Sequence, residues 1–250
     1  MLLVFQFDQE QTTPRQPTIC ILIPVHNQAE YLYRALASAV WQVGPQDEII
    51  VVDDASTDLC PSSPVWLFKE RVLWFRNPVK RGVSYCRNLG IRRSRAVWIK
   101  FLDADDVLSP FALDLVRRAQ PLITDEVKVV AGGCHRIVDY RYHDYLCDTD
   151  ASLLRIKEAI PMLPSAVFVR RLALLEVGLF DERIDQEEDW DLWFRLHERY
   201  GLSAFATTTA PVCYYRINHA ERQQKRREAK VDGVSVREYF RRRYGATVSD

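Results

Sequence analysis

Short apolar runs that each stop on polar or acidic residues, with helical segments between them, constrain this chain more than any other feature. "TICILIP" at 18 to 24 runs into His26 and Asn27, "DEIIVVDD" at 47 to 54 ends on Asp53 and Asp54, and "AVWIKFLDADD" at 96 to 106 ends on Asp103, Asp105 and Asp106. Between them "AEYLYRALASAVWQ" sets Leu32, Leu36, Ala39 and Val40 at helical spacing, "VLWFRN" reads as a further strand and "VSYCRNLGIRRS" as a helix. Strands apolar on both sides and alternating with helices form a mostly parallel sheet covered on both faces. Ligands of such sheets bind beyond the carboxyl ends of the strands. The pattern therefore predicts an α/β fold in which all three polar groups share one edge.

Ser109 and Pro110 are expected to be the N-cap and first residue of the next helix. Beyond residue 125 the alternation weakens: "VKVVAGGCHRIVDY" and "SAVFVRR" read as strands around a less regular stretch at 141 to 160, giving a mixed-sheet second half. "QEEDWDLWFRLHERY" is an amphipathic helix with Trp190, Trp193, Phe194 and His197 near one stripe and acids in its first turn. From Glu221 to Arg243 the chain reads as helical and rich in Arg and Lys. The expected organisation is an N-terminal arm at 1–17, one domain at 18–218 in two halves (18–106 and 107–218), and a basic helical tail at 219–250.

At 250 residues, with 48% apolar and 27% charged residues, the chain has the makings of one sizeable core. A formal net charge of +0 gives no reason to expect a nucleic-acid partner, so anion recognition must be local. The six cysteines have no metal-ribbon or redox spacing, which fits free thiols in a reducing cytosol. "MLLVFQFDQE" is too short for a membrane span and lacks a basic start, so it is expected to be an extra strand or packing arm. The expected location is cytoplasmic, with peripheral contact at a membrane's inner face open to the tail: its Arg and Lys suit anionic lipid, and its interspersed Glu221, Glu228 and Glu238 suit a plain solvated helix.

Crowded carboxylates resist ionising together unless a positive charge joins them. A D-x-D at a strand end offers hard oxygens for Mg²⁺ or Mn²⁺, which bind through one or two carboxylates and complete their shell with water and phosphate. Asp103 to Asp106 also suit a turn and helix cap. In "EEDWD", residues 187 to 191, Glu187 suits the helix dipole, and Asp189 is a candidate general base if Trp190 and Trp193 wall it from water. The dipole lowers its pKa and burial raises it; the sequence does not decide between them.

"CILIPVHNQAEYLYRALASAVWQ", "DEIIVVDDASTD", "RGVSYCRNLGIRRSRAVWIKFLDADD" and "VGLFDERIDQEEDWDLWFRL" together resemble the family 2 glycosyltransferases of the GT-A fold, over most of residues 18 to 200. The resemblance implies a Rossmann-like, mostly parallel mixed sheet flanked by helices, and metal-dependent, inverting transfer of one sugar from a nucleotide diphosphate sugar, UDP being favoured, to an acceptor hydroxyl on a glycan, lipid or protein. It implies that Pro24, His26 and Asn27 form the first nucleotide loop, that Asp53 reads the base with Asp54 nearby, and that Arg87 and Asn88 lie near the nucleotide. By the same likeness Asp103 approaches the ribose and the metal, Asp105 binds the metal, and Asp189 of the Glu188–Asp189 pair is the base.

The chain departs from the family in three places. His26 stands where the family often has a base-stacking Tyr, "YYRINH" has one residue more than the family's Y-R-x-H, and "QQKRR" lacks the Trp of processive synthases. His219 is the candidate third metal ligand of that segment. A nucleotidyltransferase would need a glycine-rich loop after the first strand, and "PVHNQAE" has no glycine. The remaining alternatives are an inactive module of the same fold that binds a nucleotide sugar or a partner, and a structural or assembly protein that uses the basic C-terminal helices.

Overall fold

A computed structural model describes residues 18–59, 62–119, 123–138, 141–146, 162–217 and 230–245. Strands β1 (Ile19–Val25), β2 (Glu48–Asp53), β3 (Leu73–Arg76) and β4 (Trp98–Phe101) form a parallel half-sheet in the order β3-β2-β1-β4. On the far side of β4 the sheet turns mixed, with β8 (Val167–Arg170) antiparallel to β4, then β6 (Val129–Val138), β9 (Phe205–Arg216) and β5 (Val107–Leu108). β6 and β9 run parallel, and β7 (Arg141–Leu146) adds an antiparallel strand to β6, where an irregular stretch was expected.

All seven residues of β1 are buried, and their alternation divides the core. Ile19, Ile21 and Ile23 face helices α1 (Ala29–Val40) and α3 (Ala112–Ala119). Cys20 and Leu22 face α2 (Val83–Arg93), α4 (Arg171–Glu176) and α5 (Glu188–Tyr200). Because a strand's side chains alternate between faces, one central strand anchors both layers. α1 buries Leu32, Ala35, Leu36 and Ala39, close to the expected stripe, and its first backbone amide donates to Asp58 Oδ2 at 2.9 Å. That cap comes from beyond β2, which no local helix signal could reveal.

The expected cap of α3 is corrected. The helix begins at Ala112, after Phe111 in the left-handed region at φ 63°, and Ser109 Oγ caps nothing. The stripe on α5 is corrected as well: Trp193 joins the sheet-side core, while Trp190 and Phe194 face away from it, into a separate cluster with Val231, Val236 and Phe240. In the tail, residues 230–235 are a hairpin of β10 (Lys230–Val231) and β11 (Val234–Ser235) rather than helix, and α6 (Val236–Tyr244) follows. The described cysteines Cys20, Cys86, Cys134 and Cys213 are free and buried, and no described helix is long and apolar enough to cross a membrane.

α2 lies close to β1 because Gly90 faces Leu22. A Cβ added at Gly90 would sit 2.1 Å from Leu22 Cδ1, inside a fully buried part of the core. Gly90→Ala is expected to lower stability by about 1–3 kcal/mol through overpacking, read as a fall in the midpoint of urea unfolding.

Candidate active site

Parallel pairing of β2, β1 and β4 delivers His26, Asn27, Asp53, Asp54, Asp103, Asp105 and Asp106 to one edge, as the strand pattern requires. The edge is built largely from loops that hold one another. Asn27 donates its backbone N–H to Ser56 Oγ at 3.0 Å and accepts at Oδ1 from the Thr57 N–H at 2.7 Å. His26 Nδ1 lies 2.7 Å from the Asp54 carbonyl oxygen. A carbonyl only accepts, so Nδ1 carries a proton and donates it. Pro24 is buried in β1 opposite Val52.

The two acids of β2 divide their work. Asp53 accepts from the Ser56 N–H at 2.8 Å and pairs with Arg76, which stays half-exposed. Asp54 is buried and accepts from Asn77 Nδ2, the Arg81 N–H and the Gly82 N–H, each at 2.8 Å. It ties down the loop that leads into α2. Asn88 is likewise a clamp: its Nδ2 donates to the Phe180 carbonyl at 3.0 Å and its Oδ1 accepts from the Phe180 N–H at 2.9 Å. The polar atoms of both residues are taken up inside the protein, where they fix loops that border the edge.

Arg87 is the larger surprise. It is neither an open nucleotide contact nor an exposed helix residue: only 3% of its side chain is exposed, and it donates from Nη2 to Asp103 Oδ1 at 2.7 Å and from Nη1 to Glu188 Oε1 at 2.5 Å. Its guanidinium carbon lies 5.2 Å from the centre of the Phe180 ring, which Asn88 holds in place. Burial works against the charge on Arg87, but Asp103 and Glu188 outweigh it and raise its pKa. One side chain thus joins the acid turn after β4 to the first turn of α5.

A second cation underlies the turn. Lys100, fully buried in β4, donates Nζ to the Ser165 carbonyl oxygen, and Ser165 Oγ accepts the Asp103 N–H at 3.0 Å. Burial lowers the Lys100 pKa to about 8, against the pull of Cys213, Asp106, Cys134 and Asp103. Asp106 is buried, its Oδ1 accepts the Arg216 N–H at 2.9 Å, and its pKa is pushed well above the usual range by burial and then by Asp105 and Asp103. A lone lysine inside the apolar strand "WIKF" was the signal that could have identified this support.

Asp189 follows Glu188 in α5 and is 8% exposed, with Oδ1 accepting the Trp190 N–H at 3.0 Å. Burial, and after it the charge of Glu188, push its pKa up to about 7 even though Arg87 pulls the other way. Glu187, just ahead, is in the left-handed region at φ 61°, as are Asn27 (52°) and Ala55 (59°) in the other loops of the edge. Strained backbone of this kind tends to gather at functional sites.

Among the described residues no three His, Cys, Asp or Glu side chains are grouped to hold a metal ion. His219 lies outside the described residues. Asp103 and Asp105, half-exposed at the edge, are hard-oxygen donors of the number Mg²⁺ or Mn²⁺ takes from protein when phosphate and water supply the rest. The donor set therefore fits a metal shared with a diphosphate rather than a closed protein cage.

The curled α/β sheet, mostly parallel and flanked by helices, matches the GT-A fold. Residues 20–182 match the model of glycosyl transferase family 2, and the chain belongs to that family. The succinoglycan biosynthesis protein ExoO of Rhizobium meliloti is 27% identical over 252 residues, covering 91% of this chain and 69% of ExoO. The O-antigen biosynthesis protein RfbC of Myxococcus xanthus is 32% identical over 217 residues, covering 82% of this chain but 16% of RfbC. Against the Rickettsia glycosyltransferases that it matches, the chain spans between 28% and 58% of their length. Among solved structures, S. aureus TarS in complex with UDP-GlcNAc aligns with a TM-score of 0.66 at 18% identity, covering 83% of this chain and 60% of that one. The UDP complex of TarS aligns with a TM-score of 0.64 at 18% identity, covering 80% of this chain and 61% of TarS.

Two substitutions separate the clamp from the candidate base. Arg87→Met leaves two carboxylates without their partner and is expected to cost about 3–5 kcal/mol in urea unfolding. Asp189 has a folded pKa near 7 and an unfolded one near 3.9. The native state therefore binds the extra proton, and stability falls as pH rises between these values. Asp189→Asn removes that loss, so the variant should melt above the wild type at pH 8 and together with it at pH 4.

Proposed function

We propose that the chain transfers one sugar from a nucleotide diphosphate sugar, a UDP-sugar by preference, to an acceptor hydroxyl in envelope glycan synthesis, with inversion at the anomeric carbon. The observation that carries this reading is the Arg87 bridge, which sets an acid turn suited to a diphosphate-bound metal beside a helix bearing a buried carboxylate of pKa about 7. Support for the donor comes from the UDP and UDP-GlcNAc complexes of TarS, and for the pathway from the printed roles of ExoO and RfbC.

Asp189, ionised, takes the proton of the acceptor hydroxyl as its oxygen attacks the anomeric carbon from the face opposite the leaving diphosphate. Attack from that face inverts the centre. Asp103 and Asp105 would hold Mn²⁺ or Mg²⁺, which supplies stabilisation of the charge on the departing diphosphate. Glu188, held by Arg87, fixes the first turn of α5 so that its neighbour meets the acceptor in one orientation. His26, Asn27 and Asp53 border the place for the base and ribose.

A pKa near 7 puts the base close to the working pH, where general bases act most efficiently. Because only the ionised form accepts a proton, turnover should fall about tenfold per unit as pH drops below about 7. UDP release from UDP-sugars, followed across pH 5 to 9, checks this. Asp189→Asn should lower turnover by about 10²–10⁴ and leave UDP affinity in calorimetry unchanged. Asp105→Ala should abolish the Mn²⁺-dependent part of UDP binding; metal-independent binding of equal strength in both proteins removes the metal from the mechanism.

A further inference from the structure

The family match ends at residue 182, ahead of both α5 and the C-terminal unit at 230–245. The unit packs on α5. Val231, Val236 and Phe240 are buried with Ile184, Trp190 and Phe194 in a cluster of their own, separate from the two cores flanking the sheet. Ring centres lie 4.8 Å apart between Trp190 and Phe240, and 4.5 Å apart between Phe194 and Tyr244, whose planes differ by 7°. Aromatic contacts of this kind fix relative orientation as well as burying area.

Polar contacts reinforce the packing. Asp191, fully buried in the first turns of α5, accepts from Tyr244 Oη at 2.5 Å, lies 3.4 Å from Arg243 Nη1 and pairs with Arg195 at 2.6 Å. Arg183 bridges to Asp232 in the turn of the hairpin at 3.1 Å. The opposite face of α5 is held by the sheet-side core, where Trp193 Nε1 donates to the Met162 carbonyl at 3.0 Å. Three of the four side chains from 188 to 191 therefore have an identified anchor: Glu188 on Arg87, Trp190 on Phe240, and Asp191 on Tyr244 and Arg243. Asp189 sits among them. In the tail, the basic charge of Arg241 and Arg242 is paired with Glu238, and that of Arg243 with Asp181 and Asp191.

We propose that the C-terminal unit is a clamp on the helix that carries Asp189, with Phe240 and Tyr244 as positioning residues for proton transfer rather than parts of a membrane address. The inference rests on Asp189 as the base. The donor-side loops follow β1, β2 and β4, whereas the clamp packs on α5, so its loss should separate turnover from nucleotide binding. A displacement of about 1 Å at a reacting group can cost on the order of 10² in rate.

The test uses the full chain with Phe240→Ala, Tyr244→Phe and the conservative Phe240→Leu. Amide hydrogen exchange, calorimetric binding of UDP with Mn²⁺, and UDP release from UDP-GlcNAc are measured on each. In Phe240→Ala, exchange across 188–200 should accelerate about tenfold or more while β1, β2 and β4 keep their protection. UDP affinity should stay within about twofold and release should fall about 10- to 100-fold, less in Tyr244→Phe, with most of it recovered in Phe240→Leu. Unchanged exchange in α5 overturns the clamp, as does unchanged release from a variant whose α5 has loosened. Parallel loss of UDP binding also overturns it, because the unit would then support the whole domain. If the wild type neither binds UDP nor releases it, the proposed reaction fails instead, and the exchange pattern alone decides the clamp.

Discussion

Arg87 is the constraint around which the site is organised. A guanidinium with 3% of its side chain exposed must keep both carboxylates, since losing either leaves charge stranded away from water. One of those carboxylates follows β4 and the other opens α5, 85 positions further along the chain. Their meeting requires α2 to lie against β1 at Gly90, Asn88 to hold Phe180, and α5 to start where it does. Satisfying one buried cation therefore sets the relative position of the acid turn after β4 and the first turn of α5. Arg suits the task because its planar fork can hold two acids at once, which an ammonium on a flexible stem does less well.

The acid turn after β4 depends on the mixed half of the sheet in the same way. Asp103, Asp105 and Asp106 face one another across a short turn, and burial with mutual repulsion raises the Asp106 pKa. Lys100 below, the Ser165 hydroxyl from the turn before β8, and the Arg216 N–H at the end of β9 are what hold the turn. The mixed strands thus do more than extend the sheet. They bring polar groups to acids that the parallel half cannot satisfy alone.

Much of the parallel half was legible because its signals are local and repeated: apolar runs of strand length, helical spacing in α1, and polar residues at strand ends. Topology then did the rest, since parallel neighbours put their carboxyl ends together. What could not be read was direction within a helix. α2 buries Ser84, Arg87 and Asn88 beside Cys86 and Ile91, so its apolar period is weak and nothing local says which polar side chains turn inward. That Asp54 and Asn88 hold loops lies in their contacts and not in their residue type. β9 escaped notice because "FATTTAPVCYYR" is buried mainly toward its end and carries a proline within it. The hairpin at 230–235 had a readable cue in Asp232–Gly233, both with positive φ, which the surrounding Arg and Lys obscured.

Asp189 shows how far opposing effects must be weighed in three dimensions. The start of a helix favours a charged carboxylate, and Arg87 nearby adds to that preference. Burial and the neighbouring charge of Glu188 act the other way and prevail, bringing its pKa to about 7. Without Arg87, Glu188 would be a buried carboxylate with no cation beside it. Arg87 takes Glu188 into an ion pair, while Asp189 beside it accepts the Trp190 N–H. The same contact that joins the two halves of the site therefore also distinguishes the two acids of one helical turn.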